Sequence, residues 1–527
     1  MSYSRRDFVK FVGGAISTAA SLSGASLLTS CASDKAEPKA DYGISPSNED
    51  DLILAEGLES RIVIGWKDKL NAKGETFGFN NDYTAFMPLD GKKDEALLWV
   101  NHEYTHPLFV SGYERTKENV LKEQKEIGGS IVHIKKDANG QWQFQPNSKY
   151  NRRIDANTKI PFSGNTKIVG KDHAFGTLAN CAGGVTPWGT VLTCEENYHD
   201  FYGDYDFYTK EKYQPRLGWD KFYPDRHPYQ YGWVVEVNVK TGEAKKHIGI
   251  GRYAHECATC IVAKDGRTVV YSGDDKAGEF IYKFISDKPN SLESGKLYVA
   301  NLKEGKWVSL DINEQPVLKK TFKDQTEVLI HARTAGRLVG ATPCDRPEDI
   351  EIQPGTKNVF VSLTNNKKRL NFHGSILKIE ETNSDPLSLT FKASDFAVGG
   401  DDSGFSCPDN LAFDKSGNLW MVSDMSGSFM NKPPYSKFKN NGLFYFPMSG
   451  PYAGQAIQLG SAPVDAELTG LSFSSDYKTL FLSVQHPGEK SKSLDKLSST
   501  WPRLKKYNGI PAPCVVQLQG PLLDRLV

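Results

Sequence analysis

One recurring pattern constrains this chain more than any single motif: a polar or acidic cluster, a turn, a short apolar strand, then a closing polar cluster. The clearest copy is Cys181-Ala-Gly-Gly-Val-Thr-Pro-Trp-Gly-Thr-Val-Leu-Thr-Cys-Glu-Glu-Asn197. Further copies run from Glu256 to Asp275, Arg346 to Asn365, Pro408 to Asp424 and Glu467 to His486, with a more divergent one from Glu95 to Glu103. A second apolar strand follows each copy, at Gly129 to Ile134, Gly232 to Val237, Glu279 to Phe284, Gly374 to Ile379, Gly442 to Phe446 and Pro513 to Leu518. Six paired-strand units tens of residues apart, with few helical periodicities, call for repeated antiparallel sheets. The fold expected is all-β, a six-bladed β-propeller with loop and short helical insertions. Radial repetition protects sheet edges and brings the opening strand of every blade to a central channel.

The 47 Gly and 27 Pro among 527 residues suit many short strands separated by turns. Arg61 to Trp66 is placed to close the ring by joining the last blade. Two insertions interrupt the repeat. Tyr198 to Tyr231, crowded with Tyr, Phe and Asp, either covers the channel mouth or forms a surface loop with its own aromatic core. Ser286 to Cys344 holds one helix, Asp324 to Ala335, with Asp324 as N-cap.

The propeller carries the chemistry to its axis. Converging carboxylates repel and resist burial unless cations neutralise them. A ring of Glu196, Glu256, Asp275, Glu348, Asp409 and Glu467 therefore implies metal, and oxygen donors suit a hard cation such as calcium. Cys181 adds a thiolate, which favours a transition metal and admits iron. A single acidic residue at a strand end is ordinarily a solvated turn or cap; recurrence at equivalent places is what singles these out, and Glu is a poor turn former. Glu195 competes with Glu196 and Asp465 with Glu467. His102, His173, His255, Arg346 and His486 stand among the acids, with Asn101, Asn180 and Asn410. Arg346 offers a planar fork for phosphate, or an ion pair that balances the acids. His486 is open between metal ligand, proton donor and core histidine. No Gly-x-Ser-x-Gly elbow, P-loop or His-Glu-x-x-His occurs, which favours a metal-bound oxygen over a side-chain nucleophile.

The N-terminus is a targeting segment. Ser4-Arg5-Arg6-Asp7-Phe8-Val9-Lys10 matches the twin-arginine signature, Phe11 to Leu28 is apolar but too diluted to span a membrane, and Leu28-Thr29-Ser30-Cys31 resembles a lipobox. The expected division is a signal peptide with lipobox over 1–31, a flexible tether over 32–50 and one catalytic propeller over 51–527. This implies export to the periplasm or cell surface with lipid on Cys31 as the only membrane contact. With Cys31 set aside, seven of eight cysteines remain, so at least one is unpaired. The lone Cys257-x-x-Cys260 pair is weak for zinc; a buried thiol or a disulfide suits it as well. A formal net charge of zero argues against nucleic acid as a partner.

Taken together, Asn101-His-Glu-Tyr-Thr, Asn180-Cys-Ala-Gly-Gly, Thr186-Pro-Trp-Gly-Thr, Cys194-Glu-Glu-Asn, His255-Glu256, Gly273-Asp-Asp, Arg346-Pro-Glu-Asp, Pro408-Asp-Asn-Leu and Gln485-His-Pro-Gly-Glu resemble the PhoX-type alkaline phosphatases. The resemblance implies phosphomonoester hydrolysis by attack of a metal-bound oxygen on phosphorus, for phosphate acquisition, with Fe3+ and Ca2+ as cofactors. It assigns Cys181, Glu196, Glu256, Asp275, Glu348 and Asp409 to the metals and Arg346 to the phosphoryl oxygens; the reading of the residues adds Glu467 to the metal set and places His255 and His486 beside Arg346 in catalysis. A monomer acting on phosphomonoesters is expected. The rival classes are a calcium-dependent propeller lactonase or related hydrolase, and a lipid-anchored binding propeller whose acids merely hold calcium; neither needs a thiolate ligand.

Overall fold

A computed structural model describes residues 40–527, and Ala40–Val527 form one compact unit. The twin-arginine segment, the lipobox at Cys31 and most of the expected tether lie outside the described residues. Residues 40–50 belong to the propeller: the Ser47 carbonyl accepts from the Asn440 backbone N–H and the Ser461 hydroxyl, and Asp50 accepts from Ser499 and Thr500. Residues 40–50, expected as part of the tether, pack on the propeller because they find backbone partners on the outer edge of a blade.

The sheets are the six blades expected. The first runs outward through Asn81–Pro88, Glu95–His102, Gly128–Lys136 and Trp142–Phe144, and the second through Asn180–Val185, Val191–Glu195, Val234–Val237 and Ala244–His247. The third begins Thr259–Val262, Arg267–Gly273, Ile281–Pro289; the fourth begins Pro347–Ile352, Val359–Leu363, Ser375–Glu381. The fifth begins Pro408–Phe413, Leu419–Ser423, Gly442–Phe446; the sixth is Glu467–Phe473, Leu480–Gln485 and Cys514–Gln519. Glu59–Gly65 pairs antiparallel with Cys514–Gln519, so the N-terminal strand closes the ring as the sequence suggested. Chain ends meeting in one blade couple ring closure to a single sheet.

Alternation accounts for the strands. Glu95–His102 buries both faces between neighbouring blades and reads as a continuous apolar run, whereas Phe391–Val398 at an outer edge is mostly exposed. Phe86 of the first blade stacks on Phe481 of the sixth at 5.6 Å, one of the contacts that seal adjacent blades.

Three local expectations change. Glu95–His102 is the second strand of its blade, and the inner one is Asn81–Pro88, whose polar start hid it. The second insertion supplies two outer strands to the third blade, Gly295–Asn301 and Lys306–Ser309, and its helix is broken at His331 into Gln325–Ile330 and Ala332–Leu338. Asp324 does cap the first, accepting from the Glu327 N–H at 2.9 Å. The first insertion joins its aromatics to the core of the second and third blades: Tyr202 stacks on Tyr231 at 5.0 Å, and buried Trp219 packs on Phe201 and donates to Glu123 of the helix Lys117–Glu126.

Candidate metal centre

Backbone register aims the acids. Near its start the inner strand of each blade carries one residue more than the strand it pairs with, a β-bulge, which turns a side chain out of the regular alternation. The first unpaired residue is Asp82, Cys181, Glu256, Glu348 and Asp409 in blades one to five. On the second strands, the residue just past the pair that precedes the bulge is Glu103, Glu196, Asp275 and Asp424 in blades one, two, three and five, and Thr364 in the fourth. The sixth blade differs: pairing starts earlier, at Glu467 with Gln485, so Glu467 brings the carboxylate, His486 follows Gln485, and Gly470 occupies the bulge. Gly470 has φ +64°, and a Cβ there would lie 2.5 Å from the Asp82 carbonyl oxygen.

Each bulge is fastened by the blade before it. Asn101 donates to the Cys181 and Ala182 carbonyls at 2.7 and 2.9 Å. Ser362 donates to the Asp409 carbonyl at 2.5 Å, Ser483 to the Asp82 carbonyl at 2.5 Å, and Asn410 accepts from the Gly470 N–H at 2.8 Å. These bonds fix the site through strands rather than loops, which keeps its donors pre-positioned.

The acids meet in a cavity of about 200 Å³. It is lined by the carboxylates of Asp82, Glu103, Glu196, Glu256, Asp275, Glu348, Asp409, Asp424, Glu467 and Glu489, with Cys181, Arg346 and His486. Arg346, at φ +58°, puts its Nε and Nη2 each 2.8 Å from the two oxygens of Asp275, and Nη2 also reaches Glu348 at 2.5 Å. Asp424 lies 3.5 Å from its Nη1. The Cys181 thiol donates to Glu256 Oε1 at 3.3 Å, whereas Glu256 Oε2 is buried with no hydrogen-bond partner. His486 Nδ1 faces the Asp465 carbonyl at 2.9 Å, leaving Nε2 3.2 Å from Glu467.

One guanidinium cannot balance so many acids. Burial, reinforced by the neighbouring carboxylates, pushes Glu196, Glu256, Glu348, Asp409 and Glu467 well above the carboxylate range. Asp82 is pushed up to about 7 by burial, and Glu103 to about 8 by burial and then by Asp82. Burial and the acids raise the Cys181 thiol too. Without cations such a cluster holds protons; cations would release them and free the carboxylates and the thiol as donors. Two donor sets converge within 4.8 Å: Asp82, Glu103 and Cys181, and Glu256, Asp275 and Glu348. The donor set, with an orphaned carboxylate oxygen at its centre, fits bound metal.

Most of the residues picked from sequence thus come together: Cys181, Glu196, Glu256, Asp275, Glu348, Arg346, Asp409, Glu467 and His486 all line the cavity. His255 does not. Its Nδ1 bonds Ser272 at 3.0 Å and its Nε2 the Gly251 carbonyl at 2.9 Å, and burial pulls it down to about 3, so it is a neutral core histidine outside the cavity. Along extended chain neighbouring side chains alternate, so His255 and Glu256 cannot both face the axis. Glu195 is turned away by the same rule, buried against Lys246 at 2.7 Å and capped by the Leu178, Gly232 and Trp233 N–H groups. Asp465 accepts from Lys490 N–H and Ser498 outside the cavity. His102 is fully engaged by Phe79 and Ser130, and His173 pairs with Asp172 at the surface. No residue of 198–231 lines the cavity, and the insertion's aromatic residues pack into the core of the second and third blades. All seven described cysteines are free, so Cys257 and Cys260 form no disulfide. Asp82, Glu103, Asp424 and Glu489 went unassigned in the sequence; equivalence to Cys181 and Glu196 in the repeat is the signal that finds the first three.

Fold and cavity together define the class, a β-propeller metalloenzyme with its reactive centre on the axis. The chain belongs to the alkaline phosphatase PhoX family, whose profile matches residues 41–488, and it is a metal-dependent phosphoric monoester hydrolase of that type. It is 31% identical to PhoX of Pseudomonas fluorescens, solved in complex with vanadate, a transition state analogue, over 92% of this chain and 98% of that one, with a TM-score of 0.82. A gluconolactonase of Xanthomonas campestris is 11% identical over 84% and 97% of the two chains at a TM-score of 0.32. A protein of unknown function from Dyadobacter fermentans is 10% identical over 88% and 100% at 0.40. Neither of these two bears on the activity. No curated protein sequence matches.

Proposed function

We propose that this enzyme is exported and releases phosphate from organic monoesters for phosphate acquisition, using Fe3+ held around Cys181 and Ca2+ held among the carboxylates. The observation that carries the metal assignment is the division of the donors: one converging set contains the thiol, the other is oxygen alone. Thiolate beside carboxylate suits a transition metal, and an all-carboxylate set suits a hard cation. Glu196, Asp409 and Glu467 extend the two sets around the cavity wall. When bound, the metals supply Lewis-acid charge at the phosphoryl oxygens and activation of water.

The chain's own residues do the rest. Arg346 presents a guanidinium held rigid by Asp275 and Glu348, and it binds the equatorial phosphoryl oxygens, whose charge is what phosphoryl transfer must stabilise. His486 donates its Nδ1–H to the Asp465 carbonyl and keeps Nε2 toward the cavity beside Glu467, where the doubly protonated ring gives its Nε2 proton to the leaving oxygen. Bulges held by the neighbouring blades keep these groups in place as substrate binds.

Elemental analysis of the purified protein beside phosphate release from an aryl phosphate at alkaline pH tests this reading. Cys181→Ser is expected to lose iron and at least about a hundredfold in kcat/KM while keeping calcium. A variant that keeps iron and activity, or wild type fully active after verified removal of all metal, overturns it. The twin-arginine and lipobox segments carry the export reading; mass spectrometry of the mature N-terminus tests it, with lipid on Cys31 expected and an uncleaved Met1 contradicting it.

A further inference from the structure

Beside the metal cavity, and sharing Arg346, Asp424 and Ser426 with it, lies a second cavity of about 310 Å³. One wall is a basic turn. Lys367–Arg369 forms a single 3-10 turn whose N-cap, Asn366, accepts from the Arg369 N–H. Asp345 fastens that turn by accepting from Asn366 at 2.7 Å, Asn371 at 3.1 Å and Arg369 at 3.0 Å. The turn is thus a built feature of the fourth blade's exit.

Asp345 neutralises Arg369 but not its neighbours. Among the described residues Lys367 and Lys368 pair with no carboxylate, and the Lys367 ammonium lies over the Phe429 ring, 3.3 Å from its centroid. Burial, with Arg346 adding to it, holds that ammonium below the usual lysine range. Phe429 is 41% exposed, and the hydroxyl of Tyr435 is used on the Phe372 carbonyl, so both present aromatic surface to the cavity. The two cavities differ in balance: ten carboxylates line the first, whereas the second has one, the shared Asp424, against Arg346, Lys367 and Lys368. With the first cavity's positive charge taken up by its own carboxylates and the phosphoryl group, an anion on the part of the substrate that leaves finds its excess of positive charge in the second.

We propose that this second cavity is a leaving-group subsite, in which Lys367 and Lys368 select phosphomonoesters whose leaving group carries a second anionic group. It rests on the phosphatase reading of the adjoining centre, and Lys367 and Lys368 act as specificity-determining residues.

The metal-loaded enzyme is assayed for phosphate release from phenyl phosphate and 4-carboxyphenyl phosphate, in wild type and in Lys367→Gln/Lys368→Gln. Taking the ratio of kcat/KM for the two esters, and comparing it between the two proteins, cancels their intrinsic reactivity. The ratio is expected to fall about tenfold toward the neutral ester in the variant, the scale of two partly shielded ion pairs. In wild type, raising ionic strength from about 0.05 to about 0.5 M should erode the same preference, a readout that needs no variant. An unchanged ratio in both comparisons, or an equal fall on both esters, overturns the subsite and leaves the phosphatase standing. Failure of wild type to release phosphate from either ester overturns the phosphatase reading and the subsite with it.

Discussion

Arg346→Lys separates a phosphate-binding arginine from one that merely balances acids. The guanidinium makes two 2.8 Å bonds to Asp275 and a further 2.5 Å contact with Glu348, and it is the one arginine lining the metal cavity. Lysine keeps the charge but has no fork, so it serves one partner at a time. A hydrogen bond to a charged group is worth about 1.5–3 kcal/mol. Losing one such bond to the phosphoryl oxygens in the transition state should cut kcat/KM by about 10- to 150-fold. The assay is kcat/KM for an aryl phosphate with bound metal measured on the same sample, because the ion-pair role predicts metal or stability loss instead. A lysine variant with full metal content and kcat/KM within about threefold of wild type would refute the assignment. Arg346→Met goes further and strips the charge beside two buried carboxylates, a loss of about 3–5 kcal/mol in stability by the same logic.

Three further outcomes are expected. Burial pushes Asp82 up to about 7 and, with Asp82 beside it, Glu103 up to about 8, against unfolded values of 3.8 and 4.5, so in the metal-stripped protein the stability these two groups contribute is full below about pH 4 and lost as pH rises through 8. Its melting temperature should fall between pH 5 and 8.5 and recover on reloading with metal, and a flat profile contradicts this. Against the opposing push of burial, hydrogen bonds from His247, Thr190 and Trp188 hold Glu236 at about 2, below its unfolded 4.5. That group contributes about 3 kcal/mol above pH 4.5, lost as pH falls toward 2, and Glu236→Gln should flatten acid unfolding in that window unless the network is idle. Gly470→Ala drives a methyl to 2.5 Å from the Asp82 carbonyl at φ +64°, costing at least about 1–3 kcal/mol and lowering metal content; an unmoved denaturation midpoint would sink the bulge argument.

The propeller was legible because blade periodicity is written in apolar runs of constant type, and five of its six units open with a residue that the axis needs. The first was not: Asn81–Pro88, the inner strand, opens on Asn80-Asn81-Asp82 and was assigned no element, so the unit was placed one strand too late, at Glu95. Glu103 and Asp424 stood in quoted motifs yet went without a role, since register, not composition, tells which end of a strand meets the axis. His255 erred the opposite way. It was drawn in by its neighbour Glu256, and the two-residue period of extended chain sends adjacent side chains to opposite faces. Arg346 and His486 were legible as chemistry; their orientation came only from positive φ and from the Asp465 carbonyl.

The bulges explain why such an acidic centre survives folding at all. A plain inner strand would alternate its acids between the axis and the space between blades, and half of them would be buried among apolar side chains at prohibitive cost. One extra residue per blade breaks that alternation at the channel mouth only, so Asp82, Cys181, Glu256, Glu348 and Asp409 face one cavity while the rest of each strand stays in phase with the core. Asn101, Ser362 and Ser483 then tie the bulges at Cys181, Asp409 and Asp82 to the blade before each. Metal affinity and ring closure are therefore coupled through the same backbone carbonyls. Loosening one tie, as Asn101→Ala would at Cys181, should weaken metal binding without touching a ligand.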